Sequence, residues 1–233
     1  MKQIFAIFCA LGMALTALSA SAADDKATIE ARIASAKDVL DAIMATPDKA
    51  IPNQIMSQAT CVGVVPSVKK GAFVVGAEYG QGVVTCRTGH GWSAPAFVQL
   101  TGASFGFQAG GQATDLVLVA VTHAGAQRLL HDKIKLGADV SVAAGPVGRD
   151  SQASTTELAN AGFLTYSRNK GLFAGVDLNG DVVNQNLNDT QTYYGQDVSY
   201  EKILSGGVPT PPGAVHFVRT VNQLFHAHAR NTK

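Results

Sequence analysis

The sequence is short of charged residues and of cysteine, and each shortage excludes a class of protein. Asp, Glu, Lys and Arg make up 15% of the 233 residues, whereas ordinary domains contain about 25%. Three Cys residues and no C-x-x-C pair exclude a thioredoxin-like redox site. With 18 basic and 17 acidic residues, the chain is neither a strongly basic nucleic-acid binder nor an acidic disordered chain.

Long apolar runs are confined to the beginning of the chain. Lys2 precedes an apolar run, Ile4–Leu18, which leads into the small residues Ala20–Ala22. This order is typical of a signal peptide with its cleavage site, and the run is too short for a membrane-spanning helix. We therefore predict a signal peptide over residues 1–22. The mature chain, 23–233, is then exported, and it is periplasmic or peripherally membrane-associated.

Cys61 and Cys86 are the two cysteines of the mature chain, because Cys9 lies in the predicted signal peptide. Both lie in strand-like segments, and export would place them in an oxidising compartment. A disulfide forms if neighbouring strands bring them opposite each other. Otherwise they are two small buried apolar residues, and the sequence leaves both alternatives open.

Helical periodicity marks the two ends of the mature chain. Apolar residues within 27–44 recur at spacings of three and four, which predicts an amphipathic helix. Its apolar stripe includes Ile29, Ile33, Leu40 and Ile43. The stripe can dock on a core or lie on a membrane. A shorter helix is predicted from Ile51-Pro52 and a final helix over 214–230.

Short β-branched runs punctuated by glycine and proline occupy the middle of the chain. Between residues 61 and 87 they predict antiparallel strands, with turns at Gly71, Gly80 and Gly82. The run 115–122 is almost continuously apolar, as in a strand buried on both faces. Asn179-Gly180 is the strongest hairpin signal in the sequence.

These patterns predict one α+β domain, with a mainly antiparallel curved sheet or barrel flanked by N- and C-terminal helices. Its helical N-terminal part is 24–58, its β-rich body 60–195 and its C-terminal helical part 196–233.

Catalytic and metal motifs are weak. Ser104 matches G-x-S-x-G, with Asp115 and His123 in triad order, but the glycine-rich residues after it cannot form the helix that a nucleophile elbow requires. Asp177, Asn179 and Asp181 resemble the start of a calcium loop, yet Val182 and Asn188 stand where that loop needs Gly and Glu. His226 and His228 are two apart and do not share a helical face. We predict no catalytic residue, no metal and no cofactor.

Basic residues recur near predicted strand ends and turns. They are Lys69, Lys70, Arg87, Arg149, Arg168 and Lys170. If the strands align, some of them gather into one rim that attracts anions; if not, they are ordinary solvated charges.

Several segments together resemble the SYLF domain, a lipid-binding family with bacterial exported and eukaryotic members. The segments are Ile51-Pro52, Lys69–Gly71, Gly80–Arg87, Gly91–Phe97, Gly102–Gly110, Ala143–Arg149, Tyr166-Ser167 and Gly171–Gly175. The resemblance implies binding without catalysis. Eukaryotic members bind phosphoinositide membranes, partly through an N-terminal amphipathic helix, and some bind actin. Here the helix region 24–50 has six acidic residues against four basic ones, which argues against strong electrostatic attachment through it.

The leading hypothesis is therefore an exported protein that binds a lipid or membrane surface through the apolar stripe and the basic rim. The alternative is a protein-interaction or structural module of the cell envelope, with an envelope protein as partner, and a remote alternative is a serine hydrolase. No nucleic-acid partner is expected. The sequence sets neither the lipid class nor the oligomeric state.

Overall fold

One curled sheet with helices packed on it forms the described part of the molecule. The computed structural model describes residues 24–45, 51–72, 75–105, 112–131, 133–147, 161–169, 172–175 and 178–226. The helices are α1 (Lys26–Met44), α2 (Asn53–Gln58), α3 (His123–Arg128), α4 (Leu187–Tyr194), α5 (Tyr200–Leu204) and α6 (Val215–His226). The strands are β1 (Cys61–Ala72), β2 (Val75–Thr88), β3 (Gly91–Trp92), β4 (Ala96–Phe105), β5 (Gln112–Ala120), β6 (Lys133–Lys135), β7 (Val142–Ala144), β8 (Phe163–Asn169), β9 (Leu172–Gly175) and β10 (Val182–Gln185).

The strands pair in the order β6-β10-β4-β2-β1-β5-β8-β7, with β3 on β2 and β9 on β8. The ladders are antiparallel except β7 with β8. The sheet curls into a half-barrel, and helices from both ends of the chain flank it. The predicted fold class is confirmed. None of the helices in the described ranges combines the length and the apolar composition that crossing a bilayer requires.

Helix α1 confirms the helix predicted over 27–44. The Asp25 carboxylate caps it by accepting the Thr28 N–H at 2.7 Å. Its apolar stripe faces the sheet, where it packs with Val62, Val64 and Val83 and with α6. The stripe residues Ile29, Ile33, Leu40 and Ile43 are at most 1% exposed. Of the two alternatives, docking on the core is the one that the structure shows.

Strands β1 and β2 are longer than the sequence pattern predicted. The turns expected at Gly80 and Gly82 are wrong, because both glycines lie inside β2. A Cβ atom on Gly82 would lie 2.3 Å from the Val64 carbonyl oxygen, so the absence of a side chain lets β2 approach β1 closely where their register shifts. Strand β1 likewise continues past Pro66, through an irregularity at Ser67.

The disulfide joins the beginning of β1 to the end of β2. The ladder places Cys61 opposite Cys86, and the two sulfurs are bonded. Of the two alternatives that the sequence left open, the structure therefore has the bridge. The continuous apolar run in β5 is buried on both faces, as predicted.

The hairpin predicted at Asn179-Gly180 is wrong, although the turn itself forms. The Asp181 N–H donates to the Leu178 carbonyl at 3.1 Å, and Gly180 has a φ of 96°. Strand β10 then pairs with β4 and β6, while β9 pairs with β8. Local turn chemistry sets the reversal, but packing against the rest of the sheet selects the partner strand.

Candidate functional site

A groove of about 250 Å³ opens between α1 and the β1–β2 ladder. We call it the lysine groove. Its lining residues are Arg32, Ser35, Pro66, Ser67, Lys69, Tyr79, Gly80 and Gln81. The groove is open to solvent beside α1, toward the sheet edge at which β1 ends and β2 begins.

Lys69 and Tyr79 are direct cross-strand neighbours in this groove. Lys69 is exposed and makes no ion pair with any residue that the structure describes. Tyr79 is 43% exposed, which is unusual for a large aromatic side chain. Partial burial raises the pKa of Tyr79, and its hydroxyl is a neutral donor at ordinary pH, as in any tyrosine. An exposed cation beside an exposed aromatic ring can contact an anion and an apolar surface together.

Arg32 forms one wall of the groove and is already committed to structure. Its guanidinium donates to Asp24, to Asp189 on α4 and to the Gln81 side chain, the last at 2.9 Å. Asp189 is almost fully buried, and burial raises its pKa against the opposing effect of Arg32. Arg32 therefore ties α1 to β2 and α4 and leaves Lys69 as the cation of the groove that faces solvent.

The irregularity in β1 forms the rim of the groove. Ser67 has a φ of 51°, in the left-handed region, and its N–H donates to Asp115 Oδ1 at 2.9 Å. The second Asp115 oxygen accepts the Arg168 Nε–H at 2.8 Å, from β8. Arg168 thus lies on the same side of the sheet as Lys69, but its charge is paired.

Arg87 lies at the opposite end of the β1–β2 ladder from Lys69, so it is not among the basic residues that gather beside the lysine groove. It lies opposite the beginning of β1, so eight residues of β1 separate its end of the ladder from Lys69, roughly 25 Å. Its Nε donates to the Ala59 carbonyl at 3.0 Å and Nη2 to the Phe225 carbonyl at 3.3 Å. The guanidinium also stacks 4.9 Å over the Trp92 ring, and burial lowers its pKa. Arg87 is a structural residue that holds α2 and α6 to the sheet.

The remaining three basic residues of the prediction are described only in part or not at all. Lys70 is placed in β1 by its backbone, whereas Arg149 and Lys170 lie outside the described residues.

A second cavity, of about 440 Å³, opens at the disulfide end of the sheet. The disulfide, His123, Leu130 and Glu201 are among its lining residues, contributed by β1, β2, α3 and α5 and by the residues next to them. We call it the disulfide pocket. Arg87, whose structural contacts are described above, also lines this pocket.

The triad that the sequence pattern suggested is not assembled. Ser104 lies in β4, a strand, and not at a strand-to-helix elbow. The Asp115 carboxylate accepts a hydrogen bond from Arg168 near the beginning of β5. His123 is the first residue of α3, which follows the other end of that strand. Within the described ranges, no group of three His, Cys, Asp or Glu residues could hold a metal ion, and Asp177 and His228 fall outside those ranges.

Sequence reasoning missed Arg32, Tyr79 and Asp189. One signal was present: Asn186 caps α4 by accepting the Asp189 N–H at 3.1 Å, and Gly195 ends the helix in the left-handed conformation. These two residues predict the helix that carries Asp189. No pattern in the sequence signals that Tyr79 would be exposed.

Comparison with known proteins identifies the family. The model of the family described as Ysc84, Las17-binding protein actin regulator, matches residues 101–224. SH3 domain-containing YSC84-like protein 1 of Rattus norvegicus is 32% identical over 180 residues, covering 76% of this chain and 53% of the relative. Protein YSC84 of Saccharomyces cerevisiae is 32% identical over 193 residues, covering 79% of this chain and 41% of the relative.

A third relative is LAS seventeen-binding protein 3 of Saccharomyces cerevisiae, 33% identical over 169 residues, covering 71% of this chain and 37% of the relative. The chain thus spans about half the length of its curated relatives, or less. The residues quoted above for the SYLF resemblance extend into the matched range. The chain belongs to the Ysc84 family of SYLF-domain proteins.

Proposed function

We propose that the mature chain is an exported, non-catalytic protein that binds an anionic lipid or membrane surface reversibly through the lysine groove. The observation that carries the proposal is the adjacent pair Lys69 and Tyr79, one an exposed cation and the other a half-exposed aromatic ring. Tyrosine is favoured where an apolar phase meets water, because its ring and its hydroxyl prefer different surroundings.

The expected attachment is weak and sensitive to salt. Each cation near an anionic membrane contributes about 1 kcal/mol, and the interaction is screened beyond about 10 Å at 0.1 M salt. The mature chain has 17 basic and 17 acidic residues once Lys2 is removed from the 18, so no net charge assists. Attraction therefore depends on the local groove.

The apolar stripe of α1 is a poor candidate for this contact. Moving α1 onto a membrane would uncover the sheet face beneath it, including Val62, Val64 and Val83. Exposing three such side chains costs roughly 5 kcal/mol or more, which is more than a few surface cations return. The stripe is better explained as core.

Export is part of the proposal. Two features support it: the signal-peptide pattern over residues 1–22 and the Cys61–Cys86 disulfide. Disulfides persist mainly in oxidising compartments.

The test is co-sedimentation of residues 23–233 with neutral and with anionic phospholipid vesicles, at low and at high salt. We expect binding to anionic vesicles that weakens as salt is raised, and little binding to neutral ones. Tyr79→Ser is expected to lower the bound fraction, whereas Leu187→Ser, which removes an apolar side chain that is 59% exposed elsewhere, is the matched control. Absence of a bound fraction in every condition refutes the proposal.

A second candidate function is a protein-interaction module of the cell envelope. The family description names a Las17-binding protein, and one relative is itself named LAS seventeen-binding protein 3. The disulfide pocket, with Leu130 39% exposed at its lining, is the surface that favours it. In-cell crosslinking from Gln127→Cys, at this pocket, distinguishes the two functions: a discrete protein adduct supports the module.

A further inference from the structure

The disulfide forms part of the wall of a pocket that is open to solvent. Cys61 and Cys86 both line the disulfide pocket, whose volume is about 440 Å³. Ligand pockets in proteins typically measure about 300–1,000 Å³, so this one admits a small organic molecule. Cys86 is 8% exposed and Cys61 is 1% exposed. Cys86 is therefore the half of the bridge that an incoming molecule reaches first.

The residues around the bridge suit the chemistry of thiols. Arg87 brings a guanidinium group to the lining, and a cationic neighbour favours the thiolate form of a cysteine. Ala126 and Leu204 add apolar surface, which suits the carbon skeleton of a small thiol. The pocket thus offers a place for a small thiol beside a disulfide that this thiol can attack.

Backbone hydrogen bonds hold the strands together around the disulfide without using its sulfur atoms. The Arg87 N–H donates to the Thr60 carbonyl at 2.7 Å, and the Thr60 N–H donates to the Ala120 carbonyl at 2.8 Å. The Ser93 N–H donates to the Cys86 carbonyl at 2.8 Å. Strand β1 is also paired with β2 on one side and with β5 on the other. Breaking the S–S bond therefore removes a cross-link between strands that remain paired.

We infer that the Cys61–Cys86 bridge is a reversible thiol–disulfide exchange site, which small thiols entering the disulfide pocket reduce without unfolding the protein. The thiolate of one small thiol attacks Cys86 Sγ and forms a mixed disulfide, and Cys61 leaves as a thiolate. A second small thiolate attacks the sulfur of the first, so that the two small thiols leave as their own disulfide and Cys86 leaves as a thiolate.

Two electrons thus pass from the small thiols, which are oxidised, to the bridge, which is reduced. The protons that the small thiols lose to water on ionising are balanced by the protons that the two cysteine thiolates take up. The site is separate from the proposed membrane contact, because the lysine groove lies at the other end of the β1–β2 ladder. It makes one end of the sheet responsive to the thiol concentration of its surroundings.

The first test is the rate at which dithiothreitol, which carries both thiols in one molecule, reduces residues 23–233 under native conditions. Quenching with iodoacetamide and mass spectrometry count the reduced cysteines. Direct attack predicts a rate that rises in proportion to the dithiothreitol concentration without a plateau, and a reduced protein that keeps its folded circular dichroism spectrum. A rate that levels off, loss of the folded spectrum on reduction, or absence of reduction overturns the inference.

The second test narrows the pocket. Gln127 is exposed on α3 and lines the pocket, whereas Ala124 is exposed on the same helix outside the lining. Because exchange depends on access to the sulfur that is attacked, Gln127→Trp should slow reduction at least about tenfold and Ala124→Trp should change it less than about twofold. Equal rates in the two variants refute entry through the pocket.

The third test identifies the sulfur that is attacked. Cys61→Ser and Cys86→Ser each leave a single cysteine in the mature chain. With oxidised glutathione, the Cys86 thiol should form a mixed disulfide at least about fivefold faster than the Cys61 thiol, because it is the more exposed. Equal or reversed rates overturn the assignment of Cys86. Circular dichroism verifies that each variant is folded, and the measurement on the unaltered protein stays decisive if one is not.

Discussion

At the scale of the residue, the basic side chains divide by the partners they have. Arg32 and Arg87 make several hydrogen bonds each inside the molecule, and Arg168 is bonded to Asp115. Lys69 is exposed in the lysine groove. Guanidinium groups suit the first role because their planar donors satisfy several acceptors at once, whereas a lysine ammonium remains well hydrated. The division predicts that changes at the three partnered arginines alter stability and that changes at Lys69 alter binding.

Replacing Arg87 with Met tests the structural half of this division. Arg87→Met leaves the carbonyls of Ala59 and Phe225 without this donor, and we expect unfolding to require about 1–3 kcal/mol less free energy. Because Trp92 is the single tryptophan and lies under the guanidinium, its emission should also shift. Urea denaturation followed by fluorescence measures both.

The control is Arg128→Met, an exposed residue of α3 at the same end of the sheet. It should leave both quantities unchanged. Unaltered stability and emission in Arg87→Met would contradict the structural role.

Residue roles were the least predictable level from sequence. The sequence does not distinguish among the six basic residues near strand ends, since a positive charge by a turn is typical both of a binding rim and of a solvated surface. Arg87 acquires its role from Trp92 and Phe225, which is 138 residues away along the chain. Only tertiary structure brings such partners together.

At the scale of the element, the glycines of β2 decide how closely the two longest strands approach. A Cβ on Gly82 would lie 2.3 Å from the Val64 carbonyl oxygen and 2.8 Å from a Val65 methyl group. Gly82→Ala is therefore expected to destabilise the protein by about 1–3 kcal/mol through overpacking. Thermal or urea unfolding measures the change.

Gly89, in the turn between β2 and β3, has no atom within 4 Å of an added Cβ. Gly89→Ala is the matched control, with an effect within about 0.5 kcal/mol. Equal stability of the two variants would show that β2 has room to shift and would refute the close-packing argument.

Element positions were predictable where periodicity extends over many residues, and less so elsewhere. Helix α1 and the apolar core of β5 follow directly from the spacing of apolar residues. The glycines of β2 were misread as turns because glycine serves both turns and close approaches between neighbouring strands. The partner of β10 was misread because hairpin signals are local and strand pairing is not.

At the scale of the whole molecule, folding makes all five tyrosines harder to ionise. Burial raises the pKa of every one, and that of Tyr193 to about 12. A folded-state pKa above the unfolded value of 10.0 means that the folded protein holds the phenolic protons more tightly. This contribution is complete below about pH 10 and is lost as pH rises toward 12 and beyond.

We therefore expect little tyrosinate absorbance at pH 10, where free tyrosine is half ionised. Further up the pH scale, ionisation should coincide with loss of the circular dichroism signal. Most tyrosines ionising near pH 10 in a protein that keeps its folded spectrum would contradict the burial of these side chains. Tyr79, the most exposed of them, is expected to ionise first.

The central claim for the molecule as a whole is that its membrane contact depends on the charge of the lysine groove. The most direct measurement is the partition constant of Lys69→Glu on anionic vesicles at low salt, compared with that of Lys202→Glu, an exposed lysine of α5 near the disulfide pocket. Charge reversal at Lys69 removes one attraction and adds one repulsion, together about 2 kcal/mol, so the constant should fall roughly 30-fold. Lys202→Glu should bind nearly as well as the unaltered protein, and equal losses in the two variants would contradict the account.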